Sequence, residues 1–252
     1  MSDKRIVRVG QIVPSSNTTM ETEVPLMLSR AEATSSVQFT FHSSRMRMKT
    51  VSKEELTKMN TQVARCAQEL ADARMDVVAT ACLVAIMCQG RGHHRIAEKE
   101  IREATHVDSP DTKVLSSAGA LVDSLKAMDA KKVSIITPYV QSLTDLVVDY
   151  IEAEGVEVQD AIALEIPDNL AVGRRDPLAL VDVVKRLNVS NADALVLSAC
   201  VQMPSLPALD VVQKTQDIPV VSTAACTAFQ MLKTLGLSTS IPNAGDLLSG
   251  QY

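Results

Sequence analysis

Aromatic side chains are scarce in this 252-residue chain, which contains no tryptophan and only 2% of Phe, Trp and Tyr together. Without them the chain has few groups for a base-stacking surface, and its net charge of −5 also argues against a nucleic-acid partner. No run reaches the roughly 18 consecutive apolar residues that a membrane-spanning helix requires. We therefore expect neither a nucleic acid nor a membrane to be a partner of this protein.

Metal-binding patterns of cysteine and histidine are also missing. None of the five cysteines forms a CxxC pair, and the four histidines do not lie at a zinc-ligand spacing from them. The first residues, MSDKRIVRVG, lack the apolar segment of a secretion signal and lead directly into a strand-like run. We therefore expect a cytoplasmic protein that has free thiols and binds no metal.

Short β-rich runs alternate with helical patterns, which is typical of parallel sheets covered by helices. The pattern predicts strands at 5–13, 37–41, 76–80, 113–115, 132–137, 159–164, 194–198 and 218–221. It predicts helices at 17–30, 52–74, 93–104, 116–128, 139–154, 177–187 and 222–235. The longest of these helices begins with a capping box, in which Glu55 follows Ser52 three residues later.

The second half of the chain repeats the first. Three pairs of segments align in the same order: Arg5–Asn17 with Lys131–Gln141, Val77–Met87 with Ala194–Pro204, and Lys113–Ala120 with Pro219–Cys226. Any two parallel α/β units look alike, but an Ala-Cys pair after a strand in both halves is specific. We predict two similar Rossmann-like lobes, each a parallel sheet flanked by helices, related by a pseudo-twofold axis with the active site between them. The expected N-terminal lobe spans 1–115, with 222–252 packing back onto it, and the C-terminal lobe spans 116–221.

Cys82 and Cys200 are the candidate catalytic residues. Each follows a strand, at the sheet edge where open α/β folds bind ligands, so the repeat would place both thiols in one crevice. A thiolate is a strong nucleophile, and backbone N–H groups at the start of the next helix can stabilise it. The alternative is that both are core cysteines, which is how we interpret Cys66, Cys88 and Cys226.

Polar residues beyond the strand ends are candidates for binding a substrate. Ser15, Ser16 and Asn17 follow the first strand and either cap the next helix or bind a carboxylate. Tyr139 occupies the corresponding place in the second half, as a donor in the cleft or as a core residue. Asn169 either mirrors Asn17 on the other side of a ligand or belongs to a turn.

A basic segment, Arg91–Arg95, follows the region of the first candidate cysteine. It either attracts anions or covers the cleft, or it is a solvated loop, which is the interpretation we favour. His93 or His94 is an alternative general base, although neither has a counterpart in the second half.

The chain resembles the aspartate/glutamate racemase superfamily and, within it, the maleate cis–trans isomerases. The similarity is carried by VGQIVPSSNTTMETE (9–23), VVATACLVA (77–85), ITPYV (136–140), PDNLAVGR (167–174) and LSACVQM (197–203). The resemblance implies an enzyme without a cofactor, in which Cys82 is the nucleophile and Cys200 its partner. It also implies that Asn17, Tyr139 and Asn169 hold the carboxylates of a small dicarboxylate substrate. A homodimer or a higher homo-oligomer is expected on the same ground.

The residues after the two cysteines indicate the reaction. Leu83, Val84 and Val201 stand where amino-acid racemases carry polar residues, so we expect an apolar pocket for a flat C4 diacid. The resemblance then implies isomerisation of maleate to fumarate through a covalent succinyl-cysteine adduct. The alternatives are an amino-acid racemase or a decarboxylase of the same superfamily and, in another class, a diacid-binding or thiol redox-sensing module.

Overall fold

A computed structural model describes residues 4–33 and 35–252, and in this part of the chain eight strands form two four-stranded parallel sheets. The first sheet contains β1 (Arg5–Pro14), β2 (Val37–Met46), β3 (Val77–Thr80) and β4 (Lys113–Ser116). The second contains β5 (Lys132–Thr137), β6 (Glu157–Ala163), β7 (Ala194–Ser198) and β8 (Val220–Ser222). Their strand orders, β2-β1-β3-β4 and β6-β5-β7-β8, are the same order repeated, which confirms the predicted two-lobed α/β fold.

Helices connect the parallel strands and flank the sheets, as parallel pairing requires. The first half contains α1 (Met20–Ala31), α2 (Lys53–Asn60), α3 (Val63–Ala71), α4 (Leu83–Met87), α5 (His93–Thr105) and α6 (Ser117–Ala127). The second contains α7 (Gln141–Ala153), α8 (Asn169–Gly173), α9 (Ala179–Val184), α10 (Leu206–Gln213) and α11 (Thr223–Thr234), and a 3₁₀ turn follows at Asp246–Leu248. In the described residues, no helix has both the length and the apolar character needed to cross a membrane.

The two inner strands β3 and β7 carry the chain to equivalent points in the two lobes. Every residue of both strands is buried, as expected for strands that are covered by helices on both faces. Beyond β3, the Ala81 N–H donates to the Ile12 carbonyl at 2.8 Å, and beyond β7 the Ala199 N–H donates to Ile136 at 2.8 Å. These matched hydrogen bonds hold the residue before each candidate cysteine against the neighbouring strand.

The last helix joins the two lobes. Helix α11 follows β8 of the second sheet, yet it packs against α1 and α6 and also contacts β3 and β4 of the first sheet. Helix α6 in turn follows β4 of the first sheet. The pair of α6 and α11 therefore forms a helical layer shared by both halves.

Some predicted helices have different bounds. The predicted helix 52–74 is two helices, α2 and α3, although Ser52 does cap the first of them by accepting from the Glu55 N–H at 3.3 Å. The predicted starts at Asn17 and Tyr139 are too early, since α1 begins at Met20 and α7 at Gln141. Both residues therefore lie in the loops that follow β1 and β5. The short helices α4, α8 and α10 were not predicted.

Candidate active site

The loops after β1, β2, β3, β5, β6 and β7 enclose a cavity between the two lobes. In this conformation the cavity has a volume of about 20 Å³, which is room for about one water molecule, so the surrounding loops must move apart to admit a larger ligand. Cys82 comes from the first lobe and Cys200 from the second, and both line this cavity. The lining residues are Pro14, Asn17, Met48, Val51, Cys82, Val84, Tyr139, Asn169, Cys200, Val201 and Gln202.

Cys82 occupies the turn between β3 and α4 in a backbone conformation that is rare for a residue with a side chain. Its φ of 77° and ψ of 70° lie in the left-handed region, which costs on the order of 1–2 kcal/mol. Burial raises the pKa of Cys82 to about 12, and the nearby Ala85 N–H, which donates to the Cys82 carbonyl at 3.1 Å, opposes the rise. Charge on Cys200 or Cys88 would raise the pKa further. Near neutral pH this thiol is therefore protonated.

The Cys200 sulfur has a different environment. Burial raises the pKa of Cys200, but three donors oppose the rise: the Tyr139 hydroxyl and the backbone N–H groups of Gln202 and Met203. Burial also raises the pKa of Tyr139 well above its usual value, so this phenol remains a hydrogen-bond donor. Three donors face Cys200 against the single N–H at Cys82, so Cys200 is better equipped to carry negative charge.

Two buried amides from different lobes line the same cavity. The Asn17 Oδ1 accepts from the Met20 N–H at 3.1 Å, at the beginning of α1, so its N–H₂ donors can serve a ligand. The Asn169 Nδ2 donates to the Ser16 Oγ at 2.7 Å, which links the second lobe to the first. Both side chains are held by hydrogen bonds at the edge of the cavity, Asn17 within its own loop and Asn169 across the two lobes.

Three of the candidate residues do not line the cavity. The Ser15 Oγ accepts from the Met48 N–H at 3.0 Å and donates to the Met48 carbonyl at 3.2 Å, so it fixes the loop after β2. The Ser16 Oγ accepts from Asn169, as described above. Leu83 is fully buried in the core. Val84 and Val201, in contrast, form part of the cavity wall.

Four lining residues were not among the candidates. Met48 and Val51 come from the loop after β2, and Pro14 and Gln202 are close neighbours of predicted residues. Apolar side chains in a connecting loop give no chemical signal in the sequence. For Gln202 a signal existed, since it lies two positions beyond the second Ala-Cys cysteine.

The cavity walls are uncharged, since none of the lining residues is Asp, Glu, Lys, Arg or His. Across residues 4–33 and 35–252, no three His, Cys, Asp or Glu side chains are grouped to hold a metal ion. The segment Arg91–Arg95 is a loop only as far as Gly92, because α5 begins at His93, where the helical pattern at 93–104 predicts it. His94 is only 3% exposed, and its backbone N–H donates to the Tyr150 hydroxyl at 2.9 Å, outside the cavity.

The three other cysteines lie outside the cavity. Both Cys66 and Cys226 are buried in the core, and Cys88 is half-buried against it.

Comparison with known proteins identifies one family over nearly the full length of this chain. The model of the arylmalonate decarboxylase family matches residues 9–248. A maleate isomerase from Geobacillus stearothermophilus is 58% identical over 97% of this chain and 98% of that protein.

Two solved structures are also similar over almost all of both chains. The maleate isomerase Iso from Pseudomonas putida S16 has a TM-score of 0.97 and 52% identity, covering 98% of this chain and 100% of its own. A mutant of the Nocardia farcinica maleate cis–trans isomerase, with a covalently bound succinylcysteine intermediate, has a TM-score of 0.94 and 44% identity, covering 98% and 100%. The chain thus belongs to the arylmalonate decarboxylase family and, within it, to the maleate isomerases.

Proposed function

We propose that this protein isomerises maleate to fumarate through a covalent succinyl adduct on Cys82. The observation that carries the proposal is the pairing of one thiol from each lobe in a small, enclosed cavity with uncharged walls. The identity of 58% to a maleate isomerase supports it, as does the succinylcysteine intermediate of the Nocardia farcinica relative.

The first step needs a thiolate at Cys82, whose pKa of about 12 keeps it protonated. Cys200, which has three donors to its sulfur, is the proposed base. The Cys200 thiolate accepts the Cys82 proton while the Cys82 sulfur bonds to one alkene carbon of maleate. The π electrons of the double bond move toward the carboxylate on the other carbon. Covalent catalysis of this kind divides one high barrier into smaller ones.

The second step forms the adduct and allows rotation. The Cys200 thiol returns its proton to the second carbon, which gives a succinyl-Cys82 adduct and restores the Cys200 thiolate. The bond between the two carbons is now single and rotates. Cys200 then removes the proton again, the carbon–sulfur bond breaks, and fumarate leaves as Cys82 regains its proton. These steps balance without an oxidant, a reductant or a further reactant, because the proton that leaves Cys82 returns to it at the end.

Binding of a dianion beside a thiolate requires hydrogen-bond donors that offset the repulsion between the like charges. In this proposal the two carboxylates bind to Asn17 on one side and to Tyr139 and Asn169 on the other, with backbone N–H groups around them. The Tyr139 hydroxyl has a single proton, so it donates to the Cys200 sulfur in the free enzyme and to the carboxylate once substrate is bound. Val84 and Val201 form the apolar wall against the flat carbon skeleton. Neutral donors also allow the product, which is another dianion, to leave.

The other features of the proposal rest on the family resemblance and on the chain's composition. We place the enzyme in the cytoplasm, independent of any cofactor, and assembled as a homodimer or a higher homo-oligomer. We propose that the lobes are divided between residues 115 and 116 and again between residues 221 and 222. Residues 1–3, at the beginning of the first lobe, lie outside the described residues. Light scattering on the purified protein measures the oligomeric state directly.

The function is tested by incubating the purified protein with maleate in reductant, without added cofactor and with a chelator. Fumarate formation is expected in the wild type and is expected to be lost in Cys82→Ser and in Cys200→Ser. Cys226→Ser, at a buried thiol outside the cavity, is the matched control and should retain turnover. Exchange of solvent deuterium into an amino acid without fumarate formation would identify a racemase instead.

A further inference from the structure

Gln202 lines the cavity and is only 4% exposed, and its side chain joins the two lobes. Its Oε1 accepts from the N–H groups of Thr18 and Thr19 of the first lobe, at 3.0 and 3.4 Å. Its Nε2 donates to the carbonyl oxygens of Ser16, at 2.9 Å, and Asn169, at 3.0 Å. A primary amide has two N–H donors and two acceptor lone pairs, so this side chain uses its full capacity.

The backbone of Gln202 makes further contacts with the same elements. Its carbonyl oxygen accepts from the Thr19 Oγ1 at 2.7 Å, and its N–H donates to the Cys200 sulfur. Gln202 is therefore bonded to the loop that contains Asn17, to Asn169 at the beginning of α8 and to the Cys200 thiol.

We propose that Gln202 is a positioning residue that holds Asn17 and Asn169 at the spacing required to bind both carboxylates of one diacid. The kinetic consequence of this role rests on the proposed function. The side-chain amide bonds the backbone around both asparagines, so its loss should disturb substrate binding more than the chemical step. Displacement of binding groups by about 1 Å can reduce catalysis by about a hundredfold.

Gly173 provides a way to displace the Gln202 side chain without changing its chemistry. A Cβ at position 173 would lie 2.3 Å from the Gln202 Nε2 and 2.9 Å from its Cδ, far inside normal contact. Gly173 ends α8 and is not among the residues with positive φ, so its backbone accepts alanine. In a Gln202→Ala background the clash disappears, and Gly173→Ala should then have no effect of its own.

The test compares the wild type with Gln202→Glu, Gly173→Ala, Gln202→Ala and the double variant Gln202→Ala/Gly173→Ala. For each protein, kcat and KM for maleate are measured, together with amide hydrogen exchange of 16–19 and 169–170. Tyr150→Phe is the control, because it removes a buried hydrogen bond to His94 between the lobes but away from the cavity. Gln202→Glu replaces the Nε2 donor with a carboxylate oxygen, which then faces the carbonyl oxygens of Ser16 and Asn169 in a buried site.

We expect Gln202→Glu and Gly173→Ala to raise KM by about tenfold or more while kcat falls by less than about threefold. Exchange of 16–19 should become faster in both. The double variant should match Gln202→Ala, and Tyr150→Phe should lower the Tm without changing KM.

Wild-type KM and unchanged exchange in a folded Gln202→Glu or Gly173→Ala protein would overturn the positioning role, as would fully additive effects in the double variant. If Gln202→Glu does not fold, Gly173→Ala decides the question. If the wild type does not convert maleate, the proposed function fails, and the exchange comparison alone decides the role of Gln202.

Discussion

The Tyr139→Phe substitution should shift the pH dependence of the reaction without disturbing the fold. Tyr139 is 5% exposed, and its hydroxyl donates to the Cys200 sulfur. Phenylalanine fills the same space apart from this oxygen. The substitution therefore removes one of the three donors that stabilise a thiolate at Cys200.

The size of the effect follows from the strength of that hydrogen bond. A hydrogen bond to a charged acceptor contributes about 1.5–3 kcal/mol, and one pKa unit corresponds to about 1.4 kcal/mol. Loss of the Tyr139 hydroxyl should therefore raise the pKa of Cys200 further above its usual value. At a fixed pH on the rising part of the profile, the thiolate population and kcat/KM should fall by about ten- to hundredfold.

The assay is kcat/KM for fumarate formation across the pH range in which both proteins remain folded. In Tyr139→Phe the rising limb should move to higher pH, and alkali should restore part of the lost activity. Tyr150→Phe, which removes another buried phenol outside the cavity, should leave the profile unchanged. A Tyr139→Phe profile that coincides with the wild type, at any level of activity, would refute the assignment of Cys200 as the base.

Three further predictions concern pH and the loops around the cavity. Burial raises the pKa of Cys200, so the thiolate forms as pH rises, and wild-type kcat/KM should increase about tenfold per pH unit from neutrality; a flat profile would contradict it. Arg95 lowers the pKa of Glu154 to about 2, an effect that burial opposes and Lys126 reinforces. Its stabilisation is therefore present above the unfolded pKa and is lost as pH falls toward 2. Allowing for the exposed partners, Glu154→Gln should lower the free energy of unfolding by about 1–2 kcal/mol at pH 7, measured in urea, and the difference should vanish in acid. Ser15→Ala removes both hydrogen bonds to Met48 and should raise KM by about three- to tenfold, whereas an unchanged KM would show that this loop does not shape the site.

Much of the architecture could be predicted because the two halves of the chain repeat one sequence pattern, so the interpretation of each half supports that of the other. The apolar runs at β3 and β7 each end in Ala-Cys, and the structure places both pairs at equivalent sheet edges. Parallel strands bring their carboxyl ends to one edge, so the polar residues after β1, β5 and β6 could be expected near the same point. Asn17, Tyr139 and Asn169 do line one cavity with the two cysteines.

The remaining details depend on contacts between distant segments. The pattern at 52–74 predicts one helix, but Asn60 donates to the Ala85 carbonyl at 3.0 Å. At the same break, the Gln62 Oε1 accepts from the Arg47 N–H at 3.0 Å. These side chains hold the segment between α2 and α3 in contact with other loops, which local periodicity does not reveal.

The role of Gln202 was not predicted for a similar reason. Its hydrogen-bond partners Thr18 and Asn169 lie in other segments of the chain, so only the folded structure shows that one amide joins both loops. Met48 and Val51 likewise enter the cavity wall through the path of a loop, since neither residue carries chemistry of its own.

Mass spectrometry of the protein quenched during turnover of maleate shows which cysteine carries the succinyl group. We predict an added mass equal to one maleic acid on the peptide that contains Cys82, present in the wild type and absent from Cys82→Ser. An adduct confined to Cys200, or full turnover by Cys82→Ser, would contradict it.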